Sequence, residues 1–191
     1  NDDKWVASVL SYIRNSFGNN APAVQPKDVK RVRKQLNGRT APFTVEELKK
    51  SFPLQLSDRG KWKLTASHRD NNVKNAVDGN LKSRWDTGTP QKPGMWFQID
   101  LLKSTQLSGI RLNSVHSSRD YPRGWKVQTS DDGKTWSAPI AEGKGDKPIT
   151  EIKFPLTTTR HLKITQTGSV SGLFWSIHDL QIYRAALQKP E

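Results

Sequence analysis

MWFQIDL, residues 95–101, alternates without a break: Met95, Phe97, Ile99 and Leu101 share one face, and Trp96, Gln98 and Asp100 share the other. A period of two is the pattern of a strand with one buried face. Short runs of the same kind recur at Gly109 to Leu112, Trp125 to Thr129, Glu151 to Phe154, His161 to Thr165 and Asp179 to Tyr183. Turn residues separate them, including Asp132-Gly133 and Glu142-Gly143. Many short strands with no helical pattern between them predict an all-β antiparallel sandwich rather than a parallel sheet.

Upstream of residue 61 the period changes. Val6, Val9, Leu10, Ile13 and Phe17 recur at three and four, Asp2 and Asp3 favour the amino end, and Gly18 with two asparagines stops the helix. A second helix is predicted in PKDVKRVRKQLNG, with Pro26 in its first turn and Val29, Val32 and Leu36 on one stripe. A third begins at Thr44, which has capping-box spacing to Glu47, and ends before Pro53. The domain plan is therefore a short α-helical extension over 1–53 and a β-sandwich over 61–185.

The charge is the unusual quantity. Among 191 residues, 31 Lys and Arg stand against 18 Asp and Glu, a formal +13. Such a field favours anionic surroundings: acidic polysaccharide, nucleic acid or lipid headgroups. It is spread along the chain, with +5 on residues 1–53 and +8 on the remainder. Neither a concentrated basic stripe nor an aromatic RNA-binding motif accompanies it, so nucleic acid is not an expected partner.

The sequence contains no cysteine, which removes disulfides, thiolate metal sites and thioether-linked haem together. No apolar run approaches the ~20 residues that span a bilayer. The first residues lack a signal-peptide pattern, and a mature chain is expected.

Several stretches carry a family likeness: Asn75-Ala-Val-Asp-Gly-Asn80, Arg84-Trp85, Trp96 to Leu101, Ser130-Asp-Asp-Gly-Lys-Thr-Trp136, and Trp175-Ser-Ile-His-Asp-Leu-Gln-Ile-Tyr183. In this order, over about 120 residues, they resemble the discoidin, or coagulation-factor C-type (F5/8 type C), domain. The resemblance implies an eight-stranded antiparallel jelly-roll β-sandwich, galactose-binding-like, used in bacterial proteins as a carbohydrate-binding module (family 32 type). It also implies a periplasmic or extracellular location. Trp5 to Asn19 looks like the closing helix of a class I c-type cytochrome domain, but without Cys-x-x-Cys-His no haem can be attached to this chain. The upstream domains of a larger parent protein are then expected partners.

The loop NAVDGNLKSRW, residues 75–85, reads as a cation cage, a turn or a catalytic loop. Asp78, Asn80 and Ser83 supply hard oxygens, and Gly79 permits a tight turn that bends carbonyls inward, as calcium needs. Spacing alone leaves the three open. The resemblance implies a structural Ca2+ held by Asp78, Asn80, Ser83 and Asp179 with the carbonyls of Asn75 and His178. Here Ser83 stands for the usual threonine and Asp179 for the usual glutamate.

No catalytic residue is expected. The histidines at 68, 116, 161 and 178 have no metal-motif spacing, no serine lies in a nucleophile elbow, and Asp131-Asp132 falls in a hairpin turn. A non-catalytic binding role is better motivated, since a sugar needs charged or amide groups beside an aromatic face. Three loops offer them: Arg84, Trp85 and Gln91 on the first, His116, Arg119, Asp120, Tyr121 and Arg123 on the second, and Trp175 on the third. A glycan, acidic or neutral, is the expected ligand. The alternatives are a polyanion- or lipid-binding module, with Leu173-Phe174-Trp175 or Met95-Trp96 as membrane spikes, and a protein-docking domain.

Overall fold

The computed structural model describes residues 2–18, 21–36, 38–39, 41–42, 44 and 53–184. The chain divides into two compact units, 1–44 and 45–191. The division falls before residue 53 because β1, Leu54–Gln55, already pairs with the last strand of the sandwich.

In the first unit, α1 spans Asp3–Asn15 and α2 spans Pro26–Gln35. Asp2 caps α1 by accepting the Trp5 amide at 2.7 Å, and Gln25 with Asp28 forms a capping box at the start of α2. The two helices bury Ala7 and Val29 and are joined by Arg33 and Asp3, 2.9 Å apart. Phe17 lies beyond α1, at φ 57° and 82% exposed, so it does not share the expected apolar stripe. The third predicted helix lies outside the described residues apart from Thr44.

The second unit is antiparallel β. After β1 come β2 (Lys63–Ala66), β3 (Trp85–Asp86), β4 (Trp96–Asn113), β5 (Trp125–Ser130), β6 (Ala141–Gly143), β7 (Ile149–Gln166), β8 (Ser176–Ile177) and β9 (Asp179–Arg184). Seven strands form one curled sheet in the order β1-β9-β4-β7-β5-β6, with β2 on β4, while β3 and β8 make a separate ribbon. Among the described residues there are thus nine strands where eight were expected, three of them two-residue pieces.

The runs at 95–101 and 109–112 belong to one 18-residue strand, β4, and those at 151–154 and 161–165 to another, β7. Their ladder shifts register between Asp100 and Thr105, where Leu102 takes φ 68° and its amide bonds Asp100 Oδ1. The slip lets each strand bend and keep apolar side chains inward on both halves. Phe97, Ile99, Leu107, Ile110, Ile152, Leu162, Ile164, Leu180 and Ile182 are all 0–2% exposed.

Two turn expectations meet different fates. Asp132 accepts the amides of Lys134 and Thr135 at 2.8 Å, and these bonds hold its carboxyl below the usual range; it shapes a turn. Glu142-Gly143, by contrast, is not a turn but lies in β6. Gly143 faces Trp125, and a Cβ there would sit 2.6 Å from the indole ring, so the glycine serves close packing.

At the bend, Arg160 grips Asp100 with Nε and Nη2 at 2.8 and 2.9 Å. These bonds, helped by the Leu102 amide, lower the Asp100 carboxyl to about 2. Because the folded pKa lies below the ordinary 3.8, the contribution is present above that range and is lost as pH falls through about 2. Asp100→Asn is expected to cost about 1 kcal/mol at neutral pH, with screening of the partly exposed Arg160 limiting the loss. Melting curves from pH 5 to pH 2 should show the two proteins converging.

Candidate functional site

The three loops singled out above meet, and Gln91 ties them together. Its side chain, 1% exposed, donates to the carbonyls of Tyr121 at 3.2 Å and Phe174 at 3.0 Å. Its Oε1 accepts the Arg123 amide at 3.0 Å and the Gln166 amide group. Backbone bonds add to this: Thr87 to Trp175, Gln91 to Leu173, and Ser176 to Asp120. The Ser176 hydroxyl also donates to Asp120 Oδ2 at 2.9 Å. Gln91 therefore builds the loops with its polar atoms already engaged, while Asp120 spends Oδ2 on the same task.

The β3–β8 ribbon sets the charged centre. Asp86, opposite Ser176 in that ribbon, is 5% exposed. Its Oδ1 accepts Arg69 Nη1 at 2.7 Å and the Gly88 amide at 2.8 Å, and its Oδ2 accepts Arg84 Nε at 2.9 Å. Two guanidiniums on one carboxylate leave a local charge of +1. Both keep surface toward solvent, at 48% for Arg69 and 37% for Arg84.

Arg69 sits at φ 45° and ψ 47°, a conformation that a side-chain-bearing residue holds only where its surroundings enforce it. A Cβ on Gly88 would meet Arg69 Nε at 2.3 Å, so the glycine makes room for the guanidinium.

Arg84 is oriented from behind by a directional chain. His178 Nδ1 lies 2.8 Å from the Leu81 carbonyl, which can only accept, so Nδ1 carries a proton and, in the neutral ring, Nε2 is the acceptor. The Ser117 hydroxyl, 2.9 Å away, then donates to Nε2 and in turn accepts Arg84 Nη1. Ser117 and His178 have the spacing of a nucleophile and base, but the histidine is 3% exposed and the serine is held by a cation. This pair positions an arginine.

Two expected contacts need correction. Trp85 and Trp175 are fully buried, 5.1 Å apart at 86°, with Phe97 against Trp85 at 4.8 Å. An aromatic with no exposed face cannot stack on a sugar. The same burial removes Trp175 and Met95, 5% exposed, as membrane spikes. Tyr121 has Arg123 Cζ 3.7 Å over its ring, and Arg123 also donates to the carbonyls of Tyr121 and Arg119. Arg119 and His116 are exposed, the latter with its ring 5.8 Å from His178. Phe174 is half-buried. Arg69, Asp86 and Ser117 were missed, and Arg69 carries no sequence signal, being 17 residues from its partner.

The side-chain oxygens expected to hold calcium are each engaged in hydrogen bonds within the protein. Asp78 uses Oδ1 on the Asn80 amide and Oδ2 on the Ser83 hydroxyl, at 2.8 and 2.6 Å. Asn80 Oδ1 takes the Lys82 amide and Asn75 Nδ2 donates to Arg84 O, both at 3.0 Å. Asp179 accepts Arg59 Nη1 on Oδ1 and Gln181 Nε2 at 2.7 Å on Oδ2. A cationic side chain already faces the carboxylate that should meet the ion.

The family model described as F5/8 type C domain matches residues 58–180. Among solved structures, the fold is similar to CpGH89CBM32-5 from Clostridium perfringens, in complex with GalNAc-beta-1,3-galactose. The two are 24% identical with a TM-score of 0.58, over 68% of this chain and 99% of that one. It is similar also to the family 32 module of C. perfringens NanJ in complex with galactose, at 20% identity and TM-score 0.58, over 69% and 100%. A third is the family 32 module of AlyQ in complex with 4,5-unsaturated mannuronic acid, at 24% and 0.53, over 64% and 95%. A search of curated proteins gives no match. The β unit has the galactose-binding-like sandwich of these structures.

Proposed function

This chain belongs to the F5/8 type C domain family, and on that premise we propose that it is a non-catalytic carbohydrate-binding module of a larger periplasmic or extracellular protein. Its joined loops hold a glycan, and an acidic sugar suits them best. The observation that carries this reading is Asp86 holding both Arg69 and Arg84, each with more than a third of its side chain exposed. Asp86 and Ser117 orient the guanidiniums before any ligand arrives, which lowers the ordering entropy that opposes binding. Guanidinium forks fit a carboxylate or a vicinal hydroxyl pair, and half-buried Phe174, on the third loop, offers an apolar face. The complexes of similar modules with galactose-containing sugars and a uronic acid are consistent with it.

Glycan arrays of neutral and uronate polysaccharides, followed by titration of the best ligand, test the reading. Arg69→Ala is expected to weaken binding about 10-fold or more, the worth of a charged hydrogen bond. Lys134→Ala, exposed in the turn that follows the far end of β5, should leave it unchanged. Equal losses in both variants, with binding abolished by salt, would instead assign the affinity to the diffuse +13 charge.

A further inference from the structure

We propose that Arg59 is the resident cation of the 75–83 loop, standing where the family resemblance implies a metal, and that this domain folds and holds its loop independently of calcium. Arg59 lies in the short helical turn Arg59–Lys61, ahead of β2. Its Nη1 donates to Asp179 Oδ1 and approaches the Leu180 carbonyl at 3.4 Å. Its Nη2 lies 3.5 Å from the position a Cβ on Gly79 would take. One guanidinium thus spans from the first residue of β9 to the turn of the 75–83 loop, the two segments that a bound ion would join.

The charge of Asp179 is met without an ion. Arg59 and Asp179 are 21% and 7% exposed at their side chains, so the pair is largely removed from water and must be hydrogen-bonded to persist. It is: the second Asp179 oxygen takes Gln181, whose own oxygen takes the Tyr183 hydroxyl at 2.5 Å. Within the loop, Asp78, Ser83 and Asn80 bond one another, and Ser83 donates to the Asn80 carbonyl at 2.8 Å. A divalent ion would have to displace a guanidinium from a buried carboxylate and break this internal set. A fixed cation also does what a metal cannot: it stays in place at any calcium concentration, and at any pH where arginine is charged.

Thermal unfolding of the full chain in chelator and in millimolar calcium, with equilibrium dialysis against labelled calcium, tests the proposal. Wild type is expected to melt at the same temperature in both buffers, within about 1 °C, and to retain no stoichiometric calcium. Arg59→Ala, which uncovers Asp179 beside the Asp78 loop, is expected to melt roughly 10 °C lower in chelator and to regain part of that loss, saturably, as calcium is added. Arg59→Lys keeps the charge and should stay indifferent to calcium. Stoichiometric calcium in the wild type, a fall of several degrees with chelator, or a folded Arg59→Ala that ignores calcium would each overturn the proposal. If Arg59→Ala does not fold, the dialysis of wild type decides alone.

Discussion

Trp175→Ala is expected to lower the stability of the β domain by about 3–5 kcal/mol, the cost of emptying a fully buried indole site. Trp175 is 0% exposed and packs edge-on to Trp85, which packs in turn on Phe97. The cavity would open between the β3–β8 ribbon and the main sheet, so the binding loops would loosen as a secondary effect. Its indole N–H is buried without a partner, so Trp175→Phe, which removes that group, should cost well under half as much. Urea unfolding of the three proteins measures this. A Trp175→Ala protein of unchanged stability and lost glycan affinity would mean that the ring faces solvent and stacks on ligand.

Gln91→Ala is expected to cost about 2–4 kcal/mol, more than its small apolar content explains. The substitution strands the Phe174 carbonyl and the Arg123 amide and leaves the Tyr121 carbonyl only its bond from Arg123 Nη1, and each part-buried group loses a partner. Because those three atoms belong to two loops, the expected signature is faster hydrogen exchange at Arg123 together with weaker glycan binding. Loss of binding with unchanged exchange and stability would make Gln91 a direct ligand contact.

How much could be read beforehand follows from the range of each signal. Alternation is local, so the strand at 95–101 and its counterparts declared themselves. The continuity of β4 and β7 did not, because a register slip at residues 100–105 breaks the period where the strand bends. Tryptophan identity says that an aromatic surface must be covered, not by what; only the β3–β8 pairing placed Trp85 and Trp175 inside. Glu142-Gly143 has turn composition, yet the glycine answers to a ring on the neighbouring strand. The centres of charge were least legible, since Arg69 finds Asp86 across 17 residues and Arg59 finds Asp179 across 120. Ion pairs of that separation leave no periodicity, and a motif that names the acids says nothing of the arginine that arrives from elsewhere.

Titration of the isotopically labelled chain with a uronate oligosaccharide and a galactose-containing one, followed by amide and arginine side-chain NMR, tests the central claim most directly. The account predicts saturable shifts confined to the segments around Arg69, Arg84–Gln91, His116–Arg123 and Leu173–Ser176, largest at the Arg69 and Arg84 guanidinium signals, and persisting in moderate salt. Shifts scattered over the exposed lysines and erased by salt, or none at these arginines, would contradict it.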